Sequence, residues 1–304
     1  MNAVTISGLV KAYGSHTVLP GLDLEIPTGE MFALLGPNGS GKTTLFRILA
    51  TLLAPDQGSV SVGGFDVQRD PAGVRGVLGV VFQSPSLDRK LSIRENLRYA
   101  GALYNLHGTE LRSRMDAALS ALRLEEKADA LVETLSGGQQ RRTEIAKCLI
   151  TQPKILLMDE PSTGLDPAAR IDLWAVIAAL RARTGLTVVF TSHLMDESEK
   201  ADRVGILNAG RLAAAEAPAN LLASAGPEVL RVATPDPQAV ANWLRENRLE
   251  PHALDNEVRV GSPDAHPLAA RLTASLGQAV YSTTVAKPTL EDVFLFRTGA
   301  RLNE

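Results

Sequence analysis

A glycine-rich stretch near the N-terminus has the residue types and spacing of a phosphate-binding loop, G-x-x-x-x-G-K-[ST]. Glycines let consecutive backbone N–H groups turn inward around phosphate oxygens, and a following helix directs its positive end at them. Lys42 would place a positive charge on the β- and γ-phosphates, and the Thr43 hydroxyl would bind magnesium. An apolar run before the loop and helical spacing after it favour this interpretation over a chance match. The predicted nucleotide-binding residues of this loop are Gly36, Pro37, Asn38, Gly39, Ser40, Gly41, Lys42, Thr43 and Thr44.

Two acidic residues follow a second apolar run, at 155–158. A carboxylate at the end of a buried strand can hold magnesium directly or through water, and this is the role predicted for Asp159. Glu160 comes next, where it could orient and deprotonate an attacking water. Acids that follow strands are common at protein surfaces, but beside a phosphate loop they favour hydrolysis of a bound nucleotide.

A third stretch, at 135–142, places a serine and two glycines before a helical segment. Ser136, Gly137 and Gly138 would form a second anion-binding helix N-terminus. A single nucleotide does not need two such sites from one chain. Two sites make sense if each serves a different nucleotide across a dimer.

The elements that must position these residues follow an α/β layered pattern. The apolar runs at 154–158 and 187–191 are continuous, as expected of strands buried on both faces of a parallel sheet. Prolines and a glycine break the pattern after about residue 224, and a small α+β domain is predicted at 226–304. Further strands are predicted at 4–7, 22–26, 31–35, 58–62, 228–233, 257–260 and 280–285. Helices are predicted at 43–53, 93–104, 111–122, 168–183, 238–247, 267–276 and 290–296.

Composition excludes several classes of protein. The chain has 304 residues, a length typical of about two domains, and its 45% hydrophobic and 21% charged residues argue against long disorder. A net charge of −3 argues against a protein that coats nucleic acid, so Arg141, Arg142 and Lys147 are predicted to form a solvated helix face. One cysteine, Cys148, cannot build an internal disulfide or a zinc cluster. Because no apolar run approaches the roughly 18 residues of a membrane span, and no secretory signal pattern is present, the chain is expected to stay in the cytosol.

The phosphate loop, the LSGGQ stretch at 135–139, the two acids and a later histidine, His193, occur in an order that resembles the ATP-binding cassette (ABC) ATPases. The resemblance covers about residues 1–222, and the LSGGQ stretch is highly specific to that family. It implies a P-loop NTPase cassette at 1–225, with a mixed sheet core and a helical subdomain at about 86–150, followed by the small α+β accessory domain at 226–304. ATP and Mg²⁺ are the implied ligands.

The same resemblance implies roles for individual residues. Tyr13 would stack on adenine, and Gln83 would contact magnesium and water and link to a membrane partner. Ser136 and Gly138 would contact the γ-phosphate of the opposite subunit's ATP, and Asp166 would lie in a loop that contacts the other subunit. His193 would contact the γ-phosphate and help to hold the catalytic geometry. The implied catalytic residues are Glu160, His193 and Gln83, the implied magnesium ligands are Thr43, Gln83 and Asp159, and the signature residues that bind nucleotide are Ser136, Gly137, Gly138 and Gln139.

The tail at 288–295 resembles P-[ST]-L-E-D-[VI]-F, found near the end of bacterial cassettes that export daunorubicin-like drugs, sodium and other substrates. The chain is therefore predicted to be the ATPase subunit of an exporter, peripheral to the cytoplasmic face of the membrane, with a separately encoded permease. A homodimer is expected when ATP is bound, and a heterodimer stays open. The alternative is a soluble ABC ATPase acting on ribosomes or nucleic acid, but the sequence has neither the second cassette nor the coiled-coil or zinc insertions of those proteins. A non-catalytic module is disfavoured because every reacting position is filled.

Overall fold

The computed structural model describes residues 1–300, so the last four residues of the predicted C-terminal domain, 301–304, lie outside the described residues. The described residues divide into two units. The first unit comprises Met1–Leu34, Gly41–Ser192 and Ala209–Arg211, and the second comprises Leu35–Ser40, His193–Asn208 and the described residues from Leu212 onward. The predicted domain limits, 1–225 and 226–304 with a helical subdomain at about 86–150, remain predictions.

Strands and helices of the described residues alternate over most of the chain. The strands are β1 (Asn2–Tyr13), β2 (His16–Pro27), β3 (Met31–Leu35), β4 (Gln57–Val62), β5 (Phe65–Asp66), β6 (Leu78–Val81), β7 (Ile155–Asp159), β8 (Thr187–Thr191), β9 (Arg203–Asn208), β10 (Arg211–Glu216), β11 (Glu228–Ala233), β12 (His252–Leu254), β13 (Glu257–Ser262) and β14 (Ser282–Ala286). The helices are α1 (Lys42–Leu49), α2 (Pro71–Val77), α3 (Ile93–Leu103), α4 (Gly108–Ala121), α5 (Gly137–Leu149), α6 (Pro167–Thr184), α7 (Met195–Ser198), α8 (Pro218–Ser224), α9 (Pro237–Glu246), α10 (Ala265–Leu276) and α11 (Leu290–Thr298).

Parallel strands form the centre of the first unit. Strand β8 pairs with β3 on one side and with β7 on the other, and β7 pairs with β6. Every residue of β3, β7 and β8 is buried, as the continuous apolar runs predict for a sheet covered on both faces. Because all these strands run the same way, their carboxyl ends lie at one edge, and the polar residues that follow them are brought together there. The predicted α/β class is confirmed.

A separate antiparallel sheet of the first unit has the order β2-β1-β4-β5. Strands β1 and β2 are much longer than the sequence predicts, because pairing between them continues through several register shifts to Tyr13 and His16 at the hairpin end. Gly14 closes this hairpin with a φ of +60°, which glycine adopts without steric cost. The predicted short strands are therefore only the apolar centres of longer ones.

Helix α1 is shorter than the sequence predicts. It ends at Leu49 rather than at residue 53, because Thr51 has a φ of +60° and cannot continue a right-handed helix. The other ends follow ordinary capping chemistry. Ser92 and Glu95 form a capping box at the start of α3, and Asp166 accepts a hydrogen bond from the Ala169 N–H at the start of α6.

In the second unit, an antiparallel sheet of order β12-β13-β11-β14 carries α9 and α10 on one face. Its core includes Leu230 and Val232 of β11, Val258 and Val260 of β13, and Leu272 of α10. Strand β11 has the predicted bounds, and the predicted α+β composition is found. Among residues 1–300, no helix is both long and apolar enough to cross a membrane.

The tail motif supplies a buried charge to this unit. Asp292, at the start of α11, is fully buried and accepts hydrogen bonds from Arg231 Nη2 (2.8 Å) and Arg259 Nη1 (2.9 Å). It also accepts from the backbone N–H of Thr289 (2.9 Å), and the Thr289 hydroxyl, the N-cap of α11, accepts the backbone N–H of Asp292 in return (3.4 Å). Burial alone would raise the pKa of Asp292, but the hydrogen bonds from Arg231 and Thr289 outweigh burial, and the pKa lies below its usual value. The motif therefore fastens α11 to β11 and β13.

Replacing Asp292 by asparagine should lower the free energy of unfolding of the second unit by about 1.5–3 kcal/mol, because the hydrogen bonds from Arg231 and Arg259 lose their charged acceptor, while Glu257 still pairs with Arg259. Since the folded pKa of Asp292 is depressed, its contribution is present above the ordinary aspartate pKa of about 4 and is lost as the pH falls through the folded value. The measurement is urea unfolding at several pH values, followed by Trp243 fluorescence with Trp174 replaced by phenylalanine. The control Glu246→Gln, at an exposed residue, should change stability by less than about 0.5 kcal/mol. Equal effects of the two variants would contradict the assignment.

Candidate nucleotide-binding and hydrolysis site

The first half of the phosphate loop, residues 36–40, lies in the second unit and depends on close backbone packing. A Cβ atom at Gly36 would lie 2.4 Å from the Leu207 carbonyl oxygen and 2.6 Å from Ser40 Oγ, so only glycine fits there. Ser40 donates its backbone N–H to the Pro37 carbonyl oxygen (3.2 Å), and Gly39 has a φ of +77°. The buried Ser40 hydroxyl has no hydrogen-bond partner among the described residues, as expected of a loop built to gain anionic oxygens.

The second half of the loop begins helix α1 in the first unit. Gly41 is its N-cap, with a φ of +103°, and within residues 1–300 no side chain caps this end. Lys42 is buried, whereas Thr43 is exposed and its hydroxyl is accessible to a metal ion. Burial lowers the pKa of Lys42, and the carboxylates of Glu160 and Asp159 act in the opposite direction. A phosphate group would add negative charge near this ammonium and offset the cost of burying it.

The two acids occupy the carboxyl end of β7. Asp159 is buried, and its Oδ1 accepts a hydrogen bond from Thr191 Oγ1 at 2.6 Å. Glu160 is half-buried and has a φ of +47°, a left-handed conformation that non-glycine residues rarely adopt. Such strain typically costs about 1–3 kcal/mol and is concentrated at functional sites.

Gln83 joins this group from the loop after β6. Its Nε2 donates to Glu160 Oε2 (3.3 Å), and the Thr163 hydroxyl donates to the same oxygen (3.0 Å). The first unit thus brings together four predicted residues, namely Lys42, Gln83, Asp159 and Glu160. The sequence does not predict Thr163 and Thr191 as contacts of the acids, although both lie in stretches that the resemblance covers.

The predicted signature residues form the start of helix α5. Ser136 is its N-cap and accepts a hydrogen bond from the Gln139 N–H (3.3 Å), while Gln139 Oε1 accepts from the Ser136 N–H (3.0 Å). This capping box uses a lone pair of the Ser136 hydroxyl, so its O–H group can still donate to an anion. Gly138 is buried against α6, where a Cβ would lie 3.0 Å from the Ala169 Cβ.

One face of α5 holds the loop that carries Gln83. Arg141 donates from Nη1 to the Phe82 carbonyl oxygen (2.9 Å) and to Glu144 Oε2 (2.7 Å), and Glu144 Oε1 accepts the Ser86 N–H (2.7 Å). Lys147 Nζ donates to the Ser86 carbonyl oxygen (2.7 Å). The prediction of a solvated face is therefore wrong for Arg141, which is buried because Glu144 and a carbonyl oxygen satisfy its charge.

The structure also shows where the remaining predicted site residues, Tyr13, Asp166 and His193, lie in the chain. Tyr13 is half-exposed at the end of the β1–β2 hairpin, so its ring is accessible for stacking. Asp166 caps α6, as described above. His193 lies in the second unit and is partly exposed. In the described residues, no group of three or more histidine, cysteine, aspartate and glutamate side chains could hold a metal ion by itself.

Comparison with known proteins places this geometry in a family. The family model described as "ABC transporter" matches residues 19–163. The Nod factor export ATP-binding protein I of Paraburkholderia xenovorans is 38% identical over 99% of both chains. The daunorubicin resistance ATP-binding protein DrrA3 of Streptomyces coeruleorubidus is 35% identical over 98% of this chain and 96% of its own.

Solved structures that resemble this chain belong to the same family. The structure of cbiO1 from Clostridium perfringens, part of the ABC transporter complex cbiONQ, is 29% identical with a TM-score of 0.69 and covers 73% of this chain and 91% of its own. An ATP-binding cassette of an ABC transporter in its ADP conformation is 27% identical with a TM-score of 0.65, over 71% of this chain and 91% of its own.

Replacing Arg141 by methionine should destabilise the first unit by about 3–5 kcal/mol, because it leaves the Glu144 carboxylate buried without its cation. Adding Glu144→Gln should recover part of this loss. The measurement is urea unfolding followed by Trp174 fluorescence, with Trp243 replaced by phenylalanine. Arg142→Met is the matched control. Its partner Asp172 is more exposed, so the loss should stay below about 1 kcal/mol. An Arg141 variant as stable as the Arg142 variant would contradict a structural role for the buried pair.

Proposed function

Because the chain belongs to the ABC transporter family and is an ATP-binding, ATP-hydrolysing subunit, we propose that it powers an exporter through a separately encoded membrane permease. The observation that carries the site assignment is the convergence of Lys42, Gln83, Asp159 and Glu160 at one end of the first unit. The direction of transport is supported by the relatives, whose names describe Nod factor export and daunorubicin resistance.

ATP would bind to the phosphate loop, from Gly36 to Thr44, with its adenine against Tyr13. Lys42 would bind the β- and γ-phosphates as a point charge. The donor set for magnesium fits a hard cation, because Thr43, Gln83 and Asp159 offer hydroxyl, amide and carboxylate oxygens. Bound magnesium would neutralise negative charge on the phosphates.

Glu160 would act as the general base. It accepts the proton of a water whose oxygen attacks the γ-phosphorus, while the bond between the γ-phosphorus and the β–γ bridging oxygen breaks and ADP leaves. Gln83 and Thr163 hold Glu160 Oε2 through hydrogen bonds, which fixes one oxygen of the base. His193 would contact the γ-phosphate. Most of the catalysis would come from positioning and electrostatics.

A second copy of the chain would complete the site. The N-terminus of α5, with Ser136, Gly137, Gly138 and Gln139, is a second place where an anion is stabilised by helix N–H groups. The loop at Asp166 would contact the other subunit. ATP would favour the closed dimer because both chains contact it, and loss of the γ-phosphate would favour opening.

A groove of about 810 Å³ in the first unit is the proposed docking site for a cytosolic segment of the permease. Four of its lining residues are large hydrophobic side chains left exposed among the described residues: Leu52, Tyr99, Leu103 and Tyr104. A group of exposed apolar side chains that line one groove is typical of a protein interface. Phe82 and Ser86, which flank Gln83, line the same groove, so a docked segment would touch the loop that contacts Glu160.

Residues 1–225 would form the cassette, and 226–304 an accessory domain. Attachment to the permease would place the chain at the cytoplasmic face of the membrane. The charge cluster around Asp292 would keep the accessory domain rigid.

Replacing Glu160 by glutamine should abolish ATP turnover and preserve ATP binding, because the amide keeps the size of the side chain and cannot accept the proton. Turnover is measured as released phosphate, and binding by equilibrium dialysis with labelled ATP. The variant should also accumulate as a closed dimer with Mg-ATP on size exclusion. Turnover at the parent rate would refute Glu160 as the base.

Replacing Leu103 by glutamate should abolish recovery of a polytopic membrane protein with the tagged chain from native membranes, while ATP binding stays at the parent level. Leu103 is 84% exposed, so a charge there is solvated in the free chain but would be buried in the docked groove. Ile171→Glu is the matched control, because Ile171 is 68% exposed and does not line the groove. Undiminished recovery with Leu103→Glu would place the permease elsewhere.

A further inference from the structure

Thr191, the last residue of β8, bridges the two acidic residues of the site. In the parallel pairing of β7 with β8 it is the register partner of Asp159. Its hydroxyl donates to Asp159 Oδ1 (2.6 Å) and accepts the backbone N–H of Glu160 (2.9 Å). Thr191 is fully buried, so water does not compete for either bond. One hydroxyl therefore joins the side chain of one acid to the backbone of the next.

Each of the two hydrogen bonds restrains a group that could otherwise adopt another conformation. A carboxylate can rotate about its last torsion, and a charge-assisted hydrogen bond to Oδ1 fixes its plane. Glu160 has a left-handed φ of +47°, and the hydrogen bond to its N–H stabilises that strained peptide. Only a group that donates and accepts can make both contacts, and a hydroxyl does so. Packing alone does not require it, because valine has nearly the same shape and suits a buried strand.

We propose that Thr191 is a positioning residue for ATP hydrolysis, which orients the carboxylate of Asp159 and fixes the backbone from which the Glu160 side chain projects. This inference rests on the roles proposed above for Asp159 and Glu160. Loss of the hydroxyl leaves the two acids in place but loosens their orientation. The rate of the chemical step therefore falls, while ATP binding through the phosphate loop is retained.

The same strand offers a matched control. Thr187, the first residue of β8, is also fully buried, and its hydroxyl accepts the Gly29 N–H (2.9 Å). Thr187→Val removes one buried hydroxyl and one hydrogen bond to backbone from β8, at the end of the strand opposite to the acids. It therefore reports what such a loss does to the strand alone.

The experiment is single-turnover hydrolysis of labelled ATP by an excess of the full chain, for the parent and for Thr191→Val, Thr191→Ser, Thr187→Val and Glu160→Gln. Varying the protein concentration separates the maximal rate from ATP affinity. Thr191→Val should lower the maximal rate by about 10–100-fold, the usual effect of removing a residue that orients a metal ligand. Its ATP affinity should match the parent, and thermal unfolding should shift at least as far as in Thr187→Val, because Thr191 makes two hydrogen bonds through its hydroxyl and Thr187 makes one. Thr191→Ser keeps the hydroxyl and should restore most of the rate.

Three results would overturn the inference: a parent-like rate for Thr191→Val, an equal loss of rate in Thr187→Val, or no rescue by Thr191→Ser. Failure of the proposed function has a different signature, because Glu160→Gln would then hydrolyse ATP at the parent rate. If Glu160→Gln is inactive while Thr191→Val is fully active, only the role of Thr191 is refuted.

Discussion

The interaction on which the site depends is the attraction between one buried ammonium and two carboxylates at the carboxyl edge of the parallel strands. Lys42 is buried, and burial of a lone charge is costly. The negative charges of Asp159 and Glu160 offset part of the cost of burying the Lys42 ammonium. Strand β7 and helix α1 must pack closely to bring these three side chains together. The charges that make the site costly without ligand are the ones that phosphate and a cation would balance.

Helix α5 connects the signature turn at 136–139 to the loop that carries Gln83, and the proposed mechanism gives both a role. Its first residues form the capped signature turn, and its middle holds the Gln83 loop through Arg141 and Glu144. Because a helix is stiff, displacement of one end is transmitted to the other. In the proposed mechanism, a partner bound in the groove, a nucleotide at the N-terminus of α5 and Glu160 would therefore be linked through one rigid helix.

Sequence patterns predict the buried strands β3, β7 and β8, because a short continuous apolar run is typical of a strand that is covered on both faces, but they miss the buried strand β9. Strand β8 has the predicted bounds. Strand β6, which leads to Gln83, is absent from the predicted strands because Gly79 weakens its pattern. The structure accounts for that glycine, since a Cβ there would lie 3.1 Å from the Cys148 Cβ.

The contacts of the site are harder to predict from the sequence than its strands. Thr163 and Thr191 meet the acids through register between distant segments, and Arg141 is buried through a tertiary acceptor. Local sequence specifies neither kind of contact. The roles of Gln83 and His193 can be predicted only from the resemblance to the family.

The order of the parallel strands also governs how the protein can be made. Strand β8 lies between β3 and β7, yet it is the last of the three to leave the ribosome. Met31 cannot pair with Val188 until that later residue has been synthesised. At about 5–20 residues per second, that delay is roughly 10–30 s. During this time the apolar residues of β3 lack their sheet neighbour. The nascent chain thus exposes an apolar strand with an unpaired edge early in its synthesis, and its N-terminal third is the part that a chaperone would have to protect from aggregation.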